Sequence, residues 1–315
     1  MSGCQRVARH MAGNAPHGPL GLQSATHDMM LIELQEGDFA ASISSHGAEL
    51  RSLTLRGVEY FWPAQDPWKR TAPLLFPIVG RLNDDTLFHE GRRYTMAQHG
   101  FARDKTFQIE NVTQSSATFR LVSDQSTRLQ YPFEFVLKSK YELRPDGLTG
   151  RFTIANPGTE VLPASFGVHP AVRWPLDHSA RKIAYRLQFQ RDEGLDIRRL
   201  KDGLLKPQLF PSPIRNGVLN LFQSLFEDDA VILLRVNSRE IRYTKANGPS
   251  LCLSWTGFPD LGIWSKAPGD FLCVEPWHGH ADPVGFTGEF ASKPGLMLIE
   301  PGGSREFSVR IEPCV

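Results

Sequence analysis

Residues 133 to 143, Phe133-Glu134-Phe135-Val136-Leu137-Lys138-Ser139-Lys140-Tyr141-Glu142-Leu143, decide the fold class. The odd positions carry Phe, Phe, Leu, Ser, Tyr and Leu, while Glu134, Lys138, Lys140 and Glu142 fall between them. A period of two with charge on one side predicts a β-strand with one wet face. Arg144-Pro145-Asp146-Gly147 follows, where Pro fixes φ and Gly accepts positive φ, so the chain turns. Leu148, Phe152 and Ile154 resume the alternation, which predicts a hairpin.

The same reading extends outward. LIEL after Met29-Met30 starts a strand, and IRYTK meets LCLSW across Ala246-Asn247-Gly248-Pro249, where Asn-Gly favours a tight turn. Val231 to Leu234 is a continuous apolar run, as in a strand buried on both faces. Helical stripes are scarce; residues 67–75 and 180–183 suggest at most a short helix or turn each. The 27 Gly and 23 Pro recur throughout and mark no linker. The expected architecture is all-β, a large antiparallel β-sandwich formed by residues 29–315 as one domain. Residues 1–28, with Arg6 and Arg9 and no secretory pattern, read as a disordered extension.

Composition narrows the function classes. A net charge of +1 gives no global attraction to nucleic acid or anionic lipid. No apolar run reaches the roughly 20 residues that a membrane-spanning helix needs. Cys4, Cys252, Cys273 and Cys314 are too scattered for a zinc knuckle or a dithiol redox motif, and Cys252 and Cys273 read as small buried hydrophobes. These features predict a cytoplasmic protein with no nucleic-acid or membrane partner. No dinucleotide or phosphate-binding glycine motif follows a strand, so no cofactor is expected.

Three segments place polar groups among aromatic ones: FPIVGRL (76–82) continuing to QHGFARD (98–104), FGVHPA (166–171), and GIWS (262–265) continuing to VEPWHG (274–279). Aromatic faces beside charged and hydrogen-bonding groups suit a carbohydrate, which stacks its C–H face on a ring while its hydroxyls demand partners. Each residue also has a structural reading. His169 before Pro170 fits a hydrogen-bonded turn, Glu275 fits an ion pair with Arg81, and Phe101 and Trp264 fit either the core or a sugar platform. The mixed His/Glu set holds no close ligand pair, which argues against a metal.

With LLFPIVGRL, QHGFARD, GVHP, GFPDLGIWS and CVEPWHG in order, the chain resembles the aldose 1-epimerase (galactose mutarotase-like) superfamily, in particular its LacX-like branch. The resemblance implies a supersandwich and the interconversion of α and β anomers of an aldose sugar. It implies that Glu275 is the general base at the anomeric hydroxyl and His169 the general acid at the ring oxygen. Arg81 and His99 would hydrogen-bond the sugar, with Asp229 as the sugar-binding carboxylate in competition with its neighbour Asp228. Phe101 and Trp264 are the candidate platforms. His278 stands where the LacX-like pattern has an aromatic residue. Arg173 and the Arg92-Arg93 pair motivate an alternative, a hexose-6-phosphate substrate. A non-catalytic sugar-binding protein is the alternative from another class.

Overall fold

The computed structural model describes residues 29–194 and 196–314. The expected disordered extension over residues 1–28 lies outside the described residues. The deciding stretch forms an antiparallel hairpin, Val136–Arg144 against Gly147–Ala155, in register from Val136↔Ala155 to Arg144↔Gly147. Gly147 has φ 142°, and a Cβ there would lie 2.3 Å from the Ile311 carbonyl oxygen, so the position needs glycine. The ladder starts at Val136 rather than Phe133. Phe133 and Phe135 are buried all the same, because the Phe133 N–H bonds the Tyr131 carbonyl and both rings join an aromatic cluster around Tyr131.

This hairpin sits in a nine-stranded antiparallel sheet that also contains Glu240–Thr244, Ser250–Thr256 and Ser304–Cys314. The Glu240–Thr244 and Ser250–Thr256 strands pair as expected, but residues 245–249 make a wider loop than a two-residue turn. Pro249 has no N–H to extend the ladder toward Asn-Gly. LIEL falls in the strand Leu31–Glu36 of a four-stranded sheet. Residues 67–75 form turns and the short strand Leu74–Leu75, not a helix. Pro67 and Pro73 interrupt the segment, and the buried Glu49 carboxylate accepts the N–H groups of Thr71 and Ala72 at 2.6 and 3.0 Å. Residues 180–183 overlap a 3₁₀ turn at Lys182–Ala184.

A six-stranded sheet positions the site. Its order is Val231–Leu233, Asp260–Trp264, Phe271–His278, Phe166–Val168, Leu74–Leu75, with Ala171–Arg173 also paired to Phe271–His278. Alternation assigns its two faces. Leu261, Ile263, Leu272, Val274 and Phe166 point into the main core. There Phe166 meets Phe152 and Phe307 of the nine-stranded sheet at 5.3 and 5.2 Å between ring centroids. Each such ring contributes about 1.5–3 kcal/mol through its burial. The opposite face carries Gly262, Trp264, Cys273, Glu275 and Trp277. Val231 and Leu233 belong to the core and Ile232 to the opposite face, which explains the uninterrupted apolar run. Among the described residues, no helix is long and apolar enough to cross a membrane.

Candidate active site

The outer face of the six-stranded sheet forms the floor of a cavity of about 250 Å³, just below the roughly 300–1,000 Å³ common for small-molecule sites. Glycines shape this floor. Trp277 lies flat across Gly167 and Gly262, so close that a Cβ at either would fall 2.6 or 2.3 Å from the indole. The glycines of GVHP and GIWS are thus explained by close approach of a ring. Gly262→Ala is expected to push Trp277 into the cavity and lower turnover by about 10²-fold, as an ångström-scale misplacement does. Steady-state kinetics together with tryptophan emission would check this. Unchanged values in both would show that the floor tolerates the methyl group.

Glu275 stands at the middle of Phe271–His278, paired with Gly262, and is 1% exposed. His169 follows Phe166–Val168, its backbone N–H bonded to the Pro73 carbonyl at 3.2 Å, and is 7% exposed. Their side chains meet with His169 Nε2 3.1 Å from Glu275 Oε2. His169 Nδ1 and Glu275 Oε2 have no aligned hydrogen-bond partner. Trp68 stacks on the imidazole at 4.9 Å and 27°, and Trp264 approaches edge-on at 5.9 Å. Burial drives both titrating groups toward their neutral forms. It lowers His169 to about 3 and raises Glu275 well above the usual carboxylate value, with Asp229 adding to the latter shift. Desolvation outweighs the adjacent carboxylate, so the imidazole is not lifted.

His99 lines the same cavity, edge-on to His169 at 5.7 Å. Its Nδ1 accepts the Gly80 N–H at 3.1 Å, while its own backbone N–H donates to the Gly80 carbonyl at 2.8 Å. Burial and then His169 hold its pKa well below 6.5. The neutral ring therefore carries its proton on Nε2, which lies 3.4 Å from the Gln98 side-chain amide on the cavity wall. His99 has φ 67° and Gly100 φ 70°, and a Cβ at Gly100 would lie 2.3 Å from the Phe76 carbonyl oxygen. That backbone turn is what QHGF encodes.

Asp229, with φ 68°, also lines the cavity; its carboxylate accepts the Ala230 N–H at 2.7 Å. Asp228 is exposed and not part of the wall. Trp264 lines the cavity, whereas Phe101 does not. Phe101 is 4% exposed and packs against Phe76 and Phe135 at 6.3 and 5.9 Å, a core residue rather than a sugar platform. Phe101→Leu is expected to cost less than about 1.5 kcal/mol of stability and leave KM unchanged, while Trp264→Ala raises KM. Urea unfolding and kinetics on the two variants would separate the roles.

Arg81 is the other departure. Its guanidinium lies on an open shelf beside the cavity, held by both Asp85 carboxylate oxygens at 2.7 Å. It pairs with neither Glu275 nor the cavity interior. Arg173 and the exposed Arg92 and Arg93, which motivated the phosphorylated-sugar alternative, also lie outside the wall. The sequence reading overlooked Trp68, Gln98, Arg103 and Trp277, all on the wall. Arg103 and Gln98 sat within the quoted QHGFARD motif. Trp68 gave no signal, because its loop reaches the site only through folding. Arg103 donates to the Gln98 carbonyl at 2.6 Å, and its buried Nε makes no hydrogen bond, lying 3.8 Å from Asp104 Oδ2. Burial, with Arg70 nearby, lowers its pKa to about 10, so it is a cation at neutral pH.

Known proteins share this sequence pattern and fold. The family model described as Aldose 1-epimerase matches residues 30–295. The plasmid-encoded protein LacX of Lactococcus lactis subsp. lactis is 31% identical over 288 residues, covering 86% of this chain and 95% of LacX. The structure of a galactose mutarotase related enzyme from Lactobacillus acidophilus superposes with a TM-score of 0.84 at 32% identity, over 91% of this chain and 98% of that one. A galactose 1-epimerase from Lactobacillus acidophilus NCFM shares the fold, with a TM-score of 0.68 at 13% identity, over 93% and 96% of the two chains.

Proposed function

The chain belongs to the aldose 1-epimerase family, and we propose that it interconverts the α and β anomers of a free aldohexose by acid–base ring opening and reclosure. The observation that carries this reading is the 3.1 Å contact between His169 and Glu275 on the wall of a cavity rimmed by tryptophans. The two oxygens that exchange protons in this reaction, O1 and O5, are bonded to the same carbon. Groups that serve them must therefore stand side by side.

Burial favours the neutral pair, with its one proton on Glu275. Transfer of that proton across the contact to His169 gives a carboxylate base and an imidazolium acid. Glu275 takes the proton from O1 while His169 gives its proton to O5, and the C1–O5 bond opens to the aldehyde. Rotation about C1–C2 presents the other face of C1. Reclosure returns a proton from O5 to His169 and from Glu275 to O1, so the pair ends as it began. Each positioned group contributes about 10²–10⁴-fold. His99 donates from Nε2 and Asp229 accepts from sugar hydroxyls, with Trp264 and Trp68 as stacking faces. Arg81 acts from the shelf by ordering the turn at Asp85, not by touching the ring.

The test is polarimetry of freshly dissolved α-D-glucose and α-D-galactose, with a buffer blank, and glucose 6-phosphate in parallel. The protein is expected to speed relaxation of the free sugars. Sugar binding without acceleration would replace the enzyme by a binding protein. Acceleration confined to the phosphorylated sugar would replace the substrate class.

A further inference from the structure

Alternation along Phe271–His278 puts a third chemical group beside the His169–Glu275 pair. Cys273 lies two residues before Glu275 and so shares its face of the sheet. It is fully buried, and its sulfur, a ring nitrogen of His169 and a carboxylate oxygen of Glu275 all lie within 4.8 Å of one another. No hydrogen bond occupies His169 Nδ1 or Glu275 Oε2, although both atoms are buried. Unsatisfied buried polar atoms are costly, and two of them beside a buried thiol, just behind the cavity wall that His169 and Glu275 line, mark a place for a ligand that can satisfy them.

We propose that His169, Cys273 and Glu275 form a binding site for a thiophilic divalent cation such as Zn²⁺, and that its occupancy blocks the acid–base pair. A sulfur, an imidazole nitrogen and a carboxylate oxygen, with a cavity water as the fourth ligand, are a tetrahedral Zn²⁺ donor set. Zn–S near 2.3 Å and Zn–N near 2.0–2.1 Å require donor separations of about 3.3–3.6 Å. The imidazole and carboxylate already stand at 3.1 Å, so a side-chain shift of about an ångström at Cys273 completes the set. The coordinating forms are thiolate, neutral imidazole and carboxylate. Binding therefore releases the thiol proton and the proton of the pair to solvent. The cation enters through the cavity, whose wall His169 and Glu275 line. It is an inhibitor and not a cofactor, because it occupies both proton-transfer groups at once.

Co²⁺ reports the site without turnover, since a thiolate ligand gives a sulfur-to-metal charge-transfer band in the near ultraviolet. The full chain titrated with Co²⁺ is expected to show this band. Cys273→Ala loses it, and Cys314→Ser, which removes an exposed thiol, keeps it. Competition with a chromophoric chelator should show Zn²⁺ affinity at least about tenfold weaker in Cys273→Ala than in wild type. In the mutarotation assay, Zn²⁺ slows wild type reversibly on chelation and spares Cys273→Ala. A band that survives Cys273→Ala, or one that disappears with Cys314→Ser, overturns the site. Because the spectrum needs no activity, a protein that failed as an epimerase would leave this result intact, and a working epimerase without the band would disprove the site alone.

Discussion

Glu275→Gln and His169→Asn should each lower catalysed anomer exchange by about 10²–10⁴-fold, and the double variant should fall no further than the worse single. Two independent groups would give multiplied losses. Here the side chains touch at 3.1 Å and pass one proton between them, so removing either partner disables the exchange that both perform. Both replacements keep the approximate shape of the side chain in a site that is at most 7% exposed, and the fold is expected to survive. Polarimetric rates above the buffer blank, with circular dichroism as the control for folding, provide the measurement. Multiplied losses in the double variant would show that the two groups act separately. Full activity in either single variant would remove that residue from the mechanism.

Lys293→Met is expected to destabilise the protein by about 3–5 kcal/mol, the usual effect of stripping one partner from a buried ion pair. Lys293 is 3% exposed; its Nζ donates to the His280 carbonyl and lies 3.8 Å from Asp282 Oδ1. Asp282 in turn accepts the Asn83 N–H at 2.9 Å and donates its own N–H to the Arg81 carbonyl at 2.9 Å. This pair therefore ties the loop after Glu275 to the segment that begins at the cavity-lining Gly80. Asp282→Asn added to Lys293→Met should recover part of the loss by removing the stranded charge.

Burial lowers Lys293 to about 8 from 10.5, against the opposing pull of the two carboxylates that face it, Asp282 and Asp260. Between these values the unfolded chain binds the proton and the folded chain does not. The lysine's burial penalty is thus fully present below about pH 8 and is relieved as pH rises toward 10.5. Wild type should accordingly gain stability relative to Lys293→Met over that window, by at most about 3 kcal/mol. Urea unfolding of both proteins at pH 7.5 and pH 10 (about half a unit outside or inside the window's ends) would read the difference. An equal slope in the two proteins would mean that Lys293 does not titrate there.

Local rules carried much of the fold. Alternation from Val136 to Leu143, the Pro-Asp-Gly turn and the unbroken run at Val231 depend on neighbours one or two residues away; strands form at the two apolar patterns and flank the turn. The same parity places Cys273, Glu275 and Trp277 on one face. Where a local signal competed with distant contacts it was less secure. Residues 67–75 extend because Glu49, from another sheet, takes the Thr71 and Ala72 N–H groups. Phe133 and Phe135 keep the strand alternation but are held by an aromatic cluster instead of a ladder.

The sequence by itself determined an all-β chain and, through ordered motifs, its family and the two residues singled out for proton transfer. Only the tertiary structure decided which polar groups share a cavity. It set His169 against Glu275, turned Phe101 into the core, left Arg81 on a shelf with Asp85, and brought Trp68 and Arg103 to the wall. The reason is physical. Facing within a strand follows from backbone geometry at each residue, whereas the distance between side chains on different strands depends on sheet order and register, and burial and desolvation exist only once the sheets have packed.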